Sequence, residues 1–577
     1  MKRCPQCNRL EAEEALTFCR VDGTPLVRES GSVGEDAGTM KFGSAPATGD
    51  TETRILPTSE MLGRPTIPTT VLDVPRASGG TRELSKPKSR RGVVAIATII
   101  TLALAASAYY YLSRGEKNAA IESVAVMPFV NESGNADVEY LSDGMTESLI
   151  NNLSQLPKLL VKARSSVFRY KGKEVDPQRV ASDLSVQAVL SGRVVQRGGD
   201  LTLYLSLVDG RNGNQLWGEQ YNRKLTDLVS LQGEIAHDVS QKLRARLTGA
   251  DEQKLAKNYT ENNEAYQLYL KGRFYWNKRS PEGLRKASEY FKQAIALDPN
   301  YALAYSGLAD AYSMLPIYDS KTTRRETMPL AKEAALKALS LDDDLAEAHA
   351  SITPVLSDYD ADWAGAEQHF KRALELNPNY PTAHQWYGEM LVREGRFDEG
   401  LAETRRALEL DPLSLITNLV LGINLNAARR YDEAITQLQK TLEFDPNFAD
   451  TNYFLFEAYA NKGMYADAVA AYVRQMALDG EPPSEIEAVK DAFSKSGWRG
   501  FIRHRITYLE SRPSSGSMNL AALHALEGDK DKAFALLEKA YEVRNEGLTL
   551  LKVNPQFDNL RSDPRFAELL RRVGFPQ

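Results

Sequence analysis

One spacing constrains this chain more than any other feature. A short turn returns at Leu297-Asp-Pro-Asn300, Leu376-Asn-Pro-Asn379, Leu410-Asp-Pro412 and Phe444-Asp-Pro-Asn447, with Leu341-Asp-Asp-Asp344 as a variant without proline. Pro378, Pro412 and Pro446 are evenly spaced, at a period of about 34 residues that falls in the range of stacked repeats. Asp343 precedes Pro378 by nearly the same interval. Proline stops a helix, because it has no N–H and its ring clashes with the preceding turn. Ahead of the stop lie Ala287, Phe291 and Ala294 before Pro299, and Ala366, Phe370 and Ala373 before Pro378. Small, large and small residues on one helix face let two helices approach closely. A unit of this kind cannot bury its apolar face alone, so it must stack on its neighbours. Pro299 and Asp343 stand further apart than one period, which predicts a ten-residue insertion around Pro316 to Thr327.

Paired helices at this period resemble the tetratricopeptide repeat, or TPR. Gly388 and Gly422 occupy the small position of the first helix. We expect an all-α solenoid over 262–480. Weaker copies lie near 450–480 (Ala468, Tyr472) and 514–548 (Gly528, Ala533, Leu537, Ala540). Between them, 481–513 reads as irregular or divergent. Within 481–577 the tail Leu560-Arg-Ser-Asp-Pro-Arg-Phe566 is expected to cap the array. The resemblance implies a concave groove, lined by first helices, that binds a protein or peptide partner. Gln385, Glu389 and Arg393 fall at i, i+4 and i+8 on one helix face, as do Tyr453, Glu457 and Asn461. These six are the candidate partner contacts; a solvated helix face accounts for the same pattern.

The amino-terminal region has a different chemistry. Cys4, Cys7 and Cys19 are the only cysteines of the 577 residues. An odd, clustered set makes a poor disulfide framework. Cys4-Pro-Gln-Cys7 is a knuckle that aims two thiolates at one point, and Cys19-Arg-Val-Asp22 reads as a second with a carboxylate in fourth place. Structural zinc accepts such donors in tetrahedral geometry. Residues 1–27 resemble the small zinc ribbons of bacterial membrane and signalling proteins, although those usually carry a fourth cysteine. A degenerate metal-free ribbon and a redox pair are the alternatives. Four basic residues (Lys2, Arg3, Arg9, Arg20) balance four acidic ones (Glu11, Glu13, Glu14, Asp22). That balance, with a whole-chain net charge of −6, argues against nucleic acid as a partner.

Residues 28–91 hold 16 Ser or Thr, 8 Gly and 6 Pro, with Phe42 the only aromatic. Such a segment buries too little apolar surface to offset the entropy of ordering, so a disordered linker is expected. Gly92 to Leu112 is an unbroken run without a charge. At about 1.5 Å per residue a helix of that length spans roughly 32 Å, enough for a bilayer core. Arg82, Lys86, Lys88, Arg90 and Arg91 precede it, and only Arg114 and Lys117 follow closely. The positive-inside rule then puts the N-terminus in the cytoplasm and the rest outside the cytoplasmic membrane. Confinement of the thiols to the reducing side agrees.

Residues 121–247 alternate strand and helix patterns. Ser123 to Phe129 reads as a buried strand, Asp143 to Leu156 as a helix, and Leu159 to Val167 as a second strand. Asp176-Pro177 opens a helix. Ala188 to Val195, Leu201 to Asp209 and Gln215 to Tyr221 give three more strands, the first two joined at Gly198-Gly199-Asp200. Leu228 to Leu247 closes with an amphipathic helix. The phrases Val124-Ala-Val-Met-Pro-Phe129, Tyr140-Leu-Ser-Asp-Gly144, Arg164-Ser-Ser166, Val189-Leu-Ser-Gly192, Leu216-Trp217 and Tyr221-Asn-Arg223 keep an order that resembles the TolB amino-terminal/FlgO-like domain. That resemblance implies a small α/β module beside TPR repeats, without established catalysis. Asp143-Gly144 is its most tempting polar feature and is read as a helix cap after a turn.

No P-loop, dinucleotide-binding, zinc-protease or nucleophile-elbow motif occurs, nor a cyclase or kinase segment. The histidines are scattered, and His349, His369 and His384 fall in repeat helices. The chain therefore reads as multidomain: zinc ribbon (1–27), linker (28–91), one transmembrane helix (92–112), small α/β domain (121–247) and TPR solenoid. The expected function is a non-enzymatic, single-pass scaffold in the inner membrane, with zinc as its one cofactor and no small-molecule substrate. Two alternatives are a transmembrane regulator coupling an outer signal to a cytosolic ribbon partner, and an enzyme with an unrecognised site in 121–247.

Overall fold

The computed structural model describes residues 2–3, 10–11, 27–28 and 121–575, apart from 244–246, 320 and 513–516. The chain divides into two units, Met1–Gly92 and Val93–Gln577. In the first, strands β1 (Lys2–Arg3), β2 (Leu10–Glu11) and β3 (Val27–Arg28) pair antiparallel in the order β2-β1-β3. Cys4 and Cys7 fall between β1 and β2 in sequence, and Cys19 and Asp22 between β2 and β3. All four lie outside the described residues, as do the expected linker beyond Arg28 and the apolar run 92–112. Among the described residues no helix is long and apolar enough to cross a membrane. Nor does any group of three or more His, Cys, Asp or Glu among them suit a metal ion.

The second unit begins with a mixed sheet. Its strands are β4 (Ser123–Val126), β5 (Val130–Asn131), β6 (Leu160–Val161), β7 (Ala188–Arg197), β8 (Asp200–Asp209) and β9 (Gln215–Lys224). The order is β6-β4-β7-β8-β9, with β5 also on β7. β4 runs parallel to β6 and β7, and the β7-β8-β9 ribbon is antiparallel. The hairpin turns at Gly198, whose φ of +62° suits a residue without Cβ. Helices α1 (Glu139–Ser154), α2 (Arg164–Val167), α3 (Pro177–Leu184), α4 (Leu228–Lys242) and α5 (Gly249–Ala256) complete this part. Several elements differ from the sequence reading: β4 stops at Val126, the closing helix stops at Lys242, β5 and α5 are not among the expected elements, and two further differences have a clear cause. α1 starts four residues before Asp143, because the Asn135 side chain caps a 3₁₀ turn at Ala136–Val138 that runs straight into it. The second strand stops at Val161, because the chain then turns away to meet the helical array.

The array follows as helix pairs: α6 (Asn263–Trp276) and α7 (Pro281–Leu297), α8 (Ala302–Tyr318) and α9 (Arg324–Leu341), α10 (Ala346–Val355) and α11 (Trp363–Leu376), α12 (Pro381–Arg393) and α13 (Phe397–Leu410), α14 (Leu415–Ala427) and α15 (Tyr431–Phe444), α16 (Ala449–Lys462) and α17 (Tyr465–Leu478). Phe291 shows the packing rule. A Cβ on Gly272 would stand 2.5 Å from its ring, and one on Gly307 2.7 Å. Two adjacent first helices thus reach the same phenyl ring only because both carry glycine there. Gly422 meets Leu438 in the same way, at 2.5 Å for an added Cβ. The ten-residue insertion lengthens α8 and α9 by about a turn each and forms the loop between them, which Asp319 organises by accepting from Thr322 and Lys321. His349, His384 and Asn418 serve the repeat: each bonds the carbonyl six residues earlier, of Asp343, Pro378 and Pro412.

The segment expected to be irregular is helical. α18 (Pro483–Glu510) is two helices fused at Gly497, whose φ is +60°. Ala361, Gly395, Arg429, Gly463 and Gly497 all have positive φ and recur at the period of the repeat, so α18 keeps the repeat's turn in place. α19 (Ser517–Glu527) and α20 (Lys530–Glu542) form a further pair. The tail does more than cap the last pair. After two 3₁₀ turns and α21 (Pro564–Val573), it lies against the middle of the array. Phe575 stacks on Trp363 at 5.4 Å, Gly574 abuts Ala361, and Val553 packs with Val392 and Ala427.

Candidate functional site

The α/β domain sits against the ends of the second helices. The last carbonyls of a helix have no partner within it and carry its negative pole, so they attract cations. Three successive second helices are satisfied this way. Lys254 Nζ donates to Leu376 O (3.0 Å), Lys162 Nζ to Glu409 O (2.7 Å) and Arg169 Nη2 to Phe444 O (2.7 Å). The repeat's turn residues complete the joint. Asn379, 3 % exposed, points Nδ2 at the carbonyls of Ser154 (3.2 Å), Leu156 (3.2 Å) and Leu159 (3.0 Å). Asp411 accepts from the hydroxyls of Ser165 and Ser166. Burial raises the Asp411 pKa; the serine hydrogen bonds and the charge of Lys162 oppose the rise.

An open cavity of about 760 Å³ lies between α1, the β6–α2 segment and the first helices α6, α8, α10, α12 and α14. Its walls are charged, and most charges are paired. Glu147 accepts from Arg273 (2.6 Å) and Asn277 (2.7 Å) and pairs with Arg164 (3.1 Å). Burial works against its charge, but the two guanidiniums outweigh it and hold Glu147 below the ordinary glutamate value. Arg273 also approaches Asp310 at 3.7 Å, and Ser351 donates to Asp310 at 2.6 Å. Asp358 pairs with Arg393 (2.8 Å) and Arg324 (3.4 Å), whose charges overcome burial and lower its pKa. Burial raises the pKa values of Asp310, Glu347 and Glu389 despite nearby arginines.

The first predicted triplet lines this cavity. Gln385 donates to Glu389 (3.0 Å) and accepts from Thr417 (3.2 Å); Arg393 reaches Glu389 at 3.3 Å. The second triplet is elsewhere. Tyr453 lines a smaller aromatic pocket with Tyr472, Phe501 and Tyr508. Glu457 accepts from Gln556 at 3.2 Å, and Asn461 donates to Asn426 at 3.1 Å. The structure therefore does not join the two triplets in one site. Asp143 is no helix cap: it is buried in the second turn of α1 and paired with Lys171 at 2.5 Å and Arg164 at 3.9 Å. Gly144 lets α1 approach α6, since a Cβ there would meet Leu270 Cβ at 2.9 Å. Sequence reading missed Glu147, Arg164, Arg273, Asn379 and Asp411. Asn379 and Asp411 were visible as repeat-turn residues, but their contacts lie in the α/β domain, far away in sequence.

Comparison with known proteins matches two segments to family models. Residues 120–238 match the second domain of HilA/YgeH-like transcriptional regulators, and residues 360–420 match the tetratricopeptide repeat. A putative adenylate cyclase 3 of Rhizobium meliloti (strain 1021) is 33% identical over 187 residues, 32% of this chain and 32% of the relative. The transcriptional regulator HilA of Salmonella typhimurium (strain LT2) is 22% identical over 290 residues, 48% of this chain and 49% of the relative. The chain thus spans about a third and about half of the length of these curated relatives. Among solved structures, YrrB, a TPR protein with an unusual peptide-binding site, is 24% identical and covers 33% of this chain and 93% of its own, with a TM-score of 0.25. IFIT1, in a monomeric mutant form with Gppp-AAAA, is 14% identical and covers 75% of this chain and 94% of its own, with a TM-score of 0.40. The helical array is built of tetratricopeptide repeats, preceded by a small α/β domain.

Proposed function

We propose that this chain is a non-catalytic, membrane-anchored scaffold whose repeats and α/β domain jointly hold a segment of a protein partner. The observation that carries the reading is the cavity of about 760 Å³ walled by both parts, lined by charged and amide side chains from the first helices α6, α8, α10 and α12. No nucleophile, base and orienting group form a catalytic set there; the acids and arginines engage each other. A peptide segment suits such a wall because its amides and side chains can exchange into hydrogen bonds already arranged in pairs. Gln385, Glu389 and Arg393 are the proposed contacts, and Tyr453, Glu457 and Asn461 belong to a separate surface.

In this proposal 92–112 anchors the chain in the inner membrane with its N-terminus in the cytoplasm. Cys4, Cys7, Cys19 and Asp22 hold zinc, since three thiolates and one carboxylate suit a tetrahedral structural ion. The α/β domain keeps its TolB-like reading as part of the same proposal. The test is a photo-crosslinker at Trp386, which lines the cavity on α12, in the full chain, compared with a Q385A/R393A version. A discrete crosslinked partner that disappears in the double variant, with helicity unchanged, supports the scaffold. Unchanged capture removes the chamber from the function.

A second reading is a transmembrane regulator. The specific support is the match of 120–238 to a domain of transcriptional regulators, together with the longer similarity to HilA. Partner binding in the cavity would then alter the reactivity of the cytosolic thiols, which thiol labelling in intact cells reads directly.

A further inference from the structure

Arg279 follows α6 with φ of +48°, a conformation that suits glycine. Corresponding turns between paired helices use Gly395, Gly463, Gly497 and Gly528. Two other arginines share the left-handed conformation, and both put the guanidinium to use. Arg429 donates to Val553 O (2.6 Å) and Asp558 (2.7 Å), and Arg544 reaches Tyr359 O at 3.4 Å. Arg279 has no ion pair and no side-chain hydrogen bond among the described residues. Its guanidinium lies over the Trp276 ring at 3.6 Å, on the cavity wall. The carboxylates that act on it, Asp310 and Glu147, are engaged by Arg273. Burial lowers the Arg279 pKa.

Two further donors at the same wall have no acceptor among the described residues: the indole Nε1–H of Trp276 and the hydroxyl of Ser313. These residues are 5 % and 1 % exposed. The register places them together. Arg273 and Asp310 approach across α6 and α8, and Trp276 and Ser313 each follow three residues later, one turn further along. Arg279, Trp276 and Ser313 thus present donors without a matching acceptor. A neutral acceptor satisfies a hydroxyl or an indole, but a half-buried guanidinium without an ion pair calls for a negative charge, best in a bidentate pair.

We propose that this corner of the cavity is an oxyanion subsite that receives a carboxylate or phosphate group of the molecule held there. The proposal rests on the cavity being a binding site, and its test separates the two. The full chain is titrated with inorganic phosphate and, separately, with acetate, at constant ionic strength against chloride. Tryptophan fluorescence and thermal midpoint are the readouts. R279G removes the guanidinium while suiting the backbone, so its fold is retained. Saturable binding of at least one anion, weakened about tenfold or more in R279G and also in S313A, is the expected result. Preference for phosphate over acetate identifies a phosphorylated ligand, and the reverse identifies a carboxylate. Binding by neither anion, or equal binding in R279G, overturns the subsite. Crosslinking at Trp386 that persists while anion binding fails leaves the scaffold standing and removes only the subsite.

Discussion

Replacing Asn379 by alanine tests whether a repeat-turn residue holds the α/β domain to the array. The amide is 3 % exposed and its two N–H groups serve three carbonyls, of Ser154, Leu156 and Leu159. A net buried hydrogen bond contributes about 1 kcal/mol, and stranding an acceptor costs more. Leu156 O retains the amide of Leu159 as a donor, which limits the loss. The variant should therefore weaken the joint by about 2 kcal/mol, roughly a 30-fold rise in local opening. Ala163 offers the readout, because its amide donates to Leu410 O across the joint at 3.0 Å. Hydrogen exchange of a peptide containing Ala163 should accelerate roughly 30-fold in N379A. The β7–β8 hairpin, whose bonds are internal to the domain, should exchange as before. An unchanged rate at Ala163 would refute the role of Asn379, and equal acceleration in the hairpin would show general destabilisation instead.

Other outcomes follow from single contacts. Gly144→Val should lower the unfolding midpoint by an amount equivalent to about 1–3 kcal/mol, because its side chain collides with Leu270; an unchanged midpoint would contradict the close approach of α1 and α6. Glu457 is half-buried, and desolvation raises its pKa to about 7. A carboxyl whose folded pKa lies above the unfolded one binds more protons when folded, so its contribution falls as pH rises from about 4.5 to about 7, by on the order of 3 kcal/mol. Glu457→Gln should flatten that part of the stability profile, measured by thermal midpoint against pH. Phe575→Ala removes the stack on Trp363 and should cost about 3 kcal/mol locally, seen as faster proteolysis of the tail. The purified full chain should release one zinc to a chelator, and C4S should abolish this; a metal-free wild type would remove the zinc assignment.

The helix pairs were legible because two local rules repeat together. Prolines such as Pro378 and Pro412 stop the second helices, and Gly422 and Phe291 mark where helices touch. The fused α18 escaped that reading because the turn one period after Pro446 is Asp479-Gly480 and not Asp-Pro, while Gly497 keeps the turn within the pair through its φ. The cavity was half legible. The spacing of Gln385, Glu389 and Arg393 gave a shared face, which lines the cavity. The same spacing at Tyr453, Glu457 and Asn461 gave a face that the tail reaches through Gln556. Helical periodicity states which residues are neighbours on a helix and nothing about what packs on them. Asp143 shows the same limit: Asp-Gly is a common turn pair, yet Asn135 had already started the helix.

Docking of the α/β domain onto the repeat ends is the central claim, and a disulfide trap measures it most directly. Ser165 donates to Asp411 across the joint, and the chain has no cysteine after Cys19, so the background is clean once the three native thiols are replaced by serine. S165C/D411C should form an intramolecular disulfide on mild oxidation of the full chain, with altered gel mobility that thiol reduction reverses. The account predicts near-complete trapping, and the pair S165C/D432C, with Asp432 on α15, should not trap. Failure of S165C/D411C to crosslink, or equal trapping in both pairs, would contradict the docked arrangement and with it the cavity.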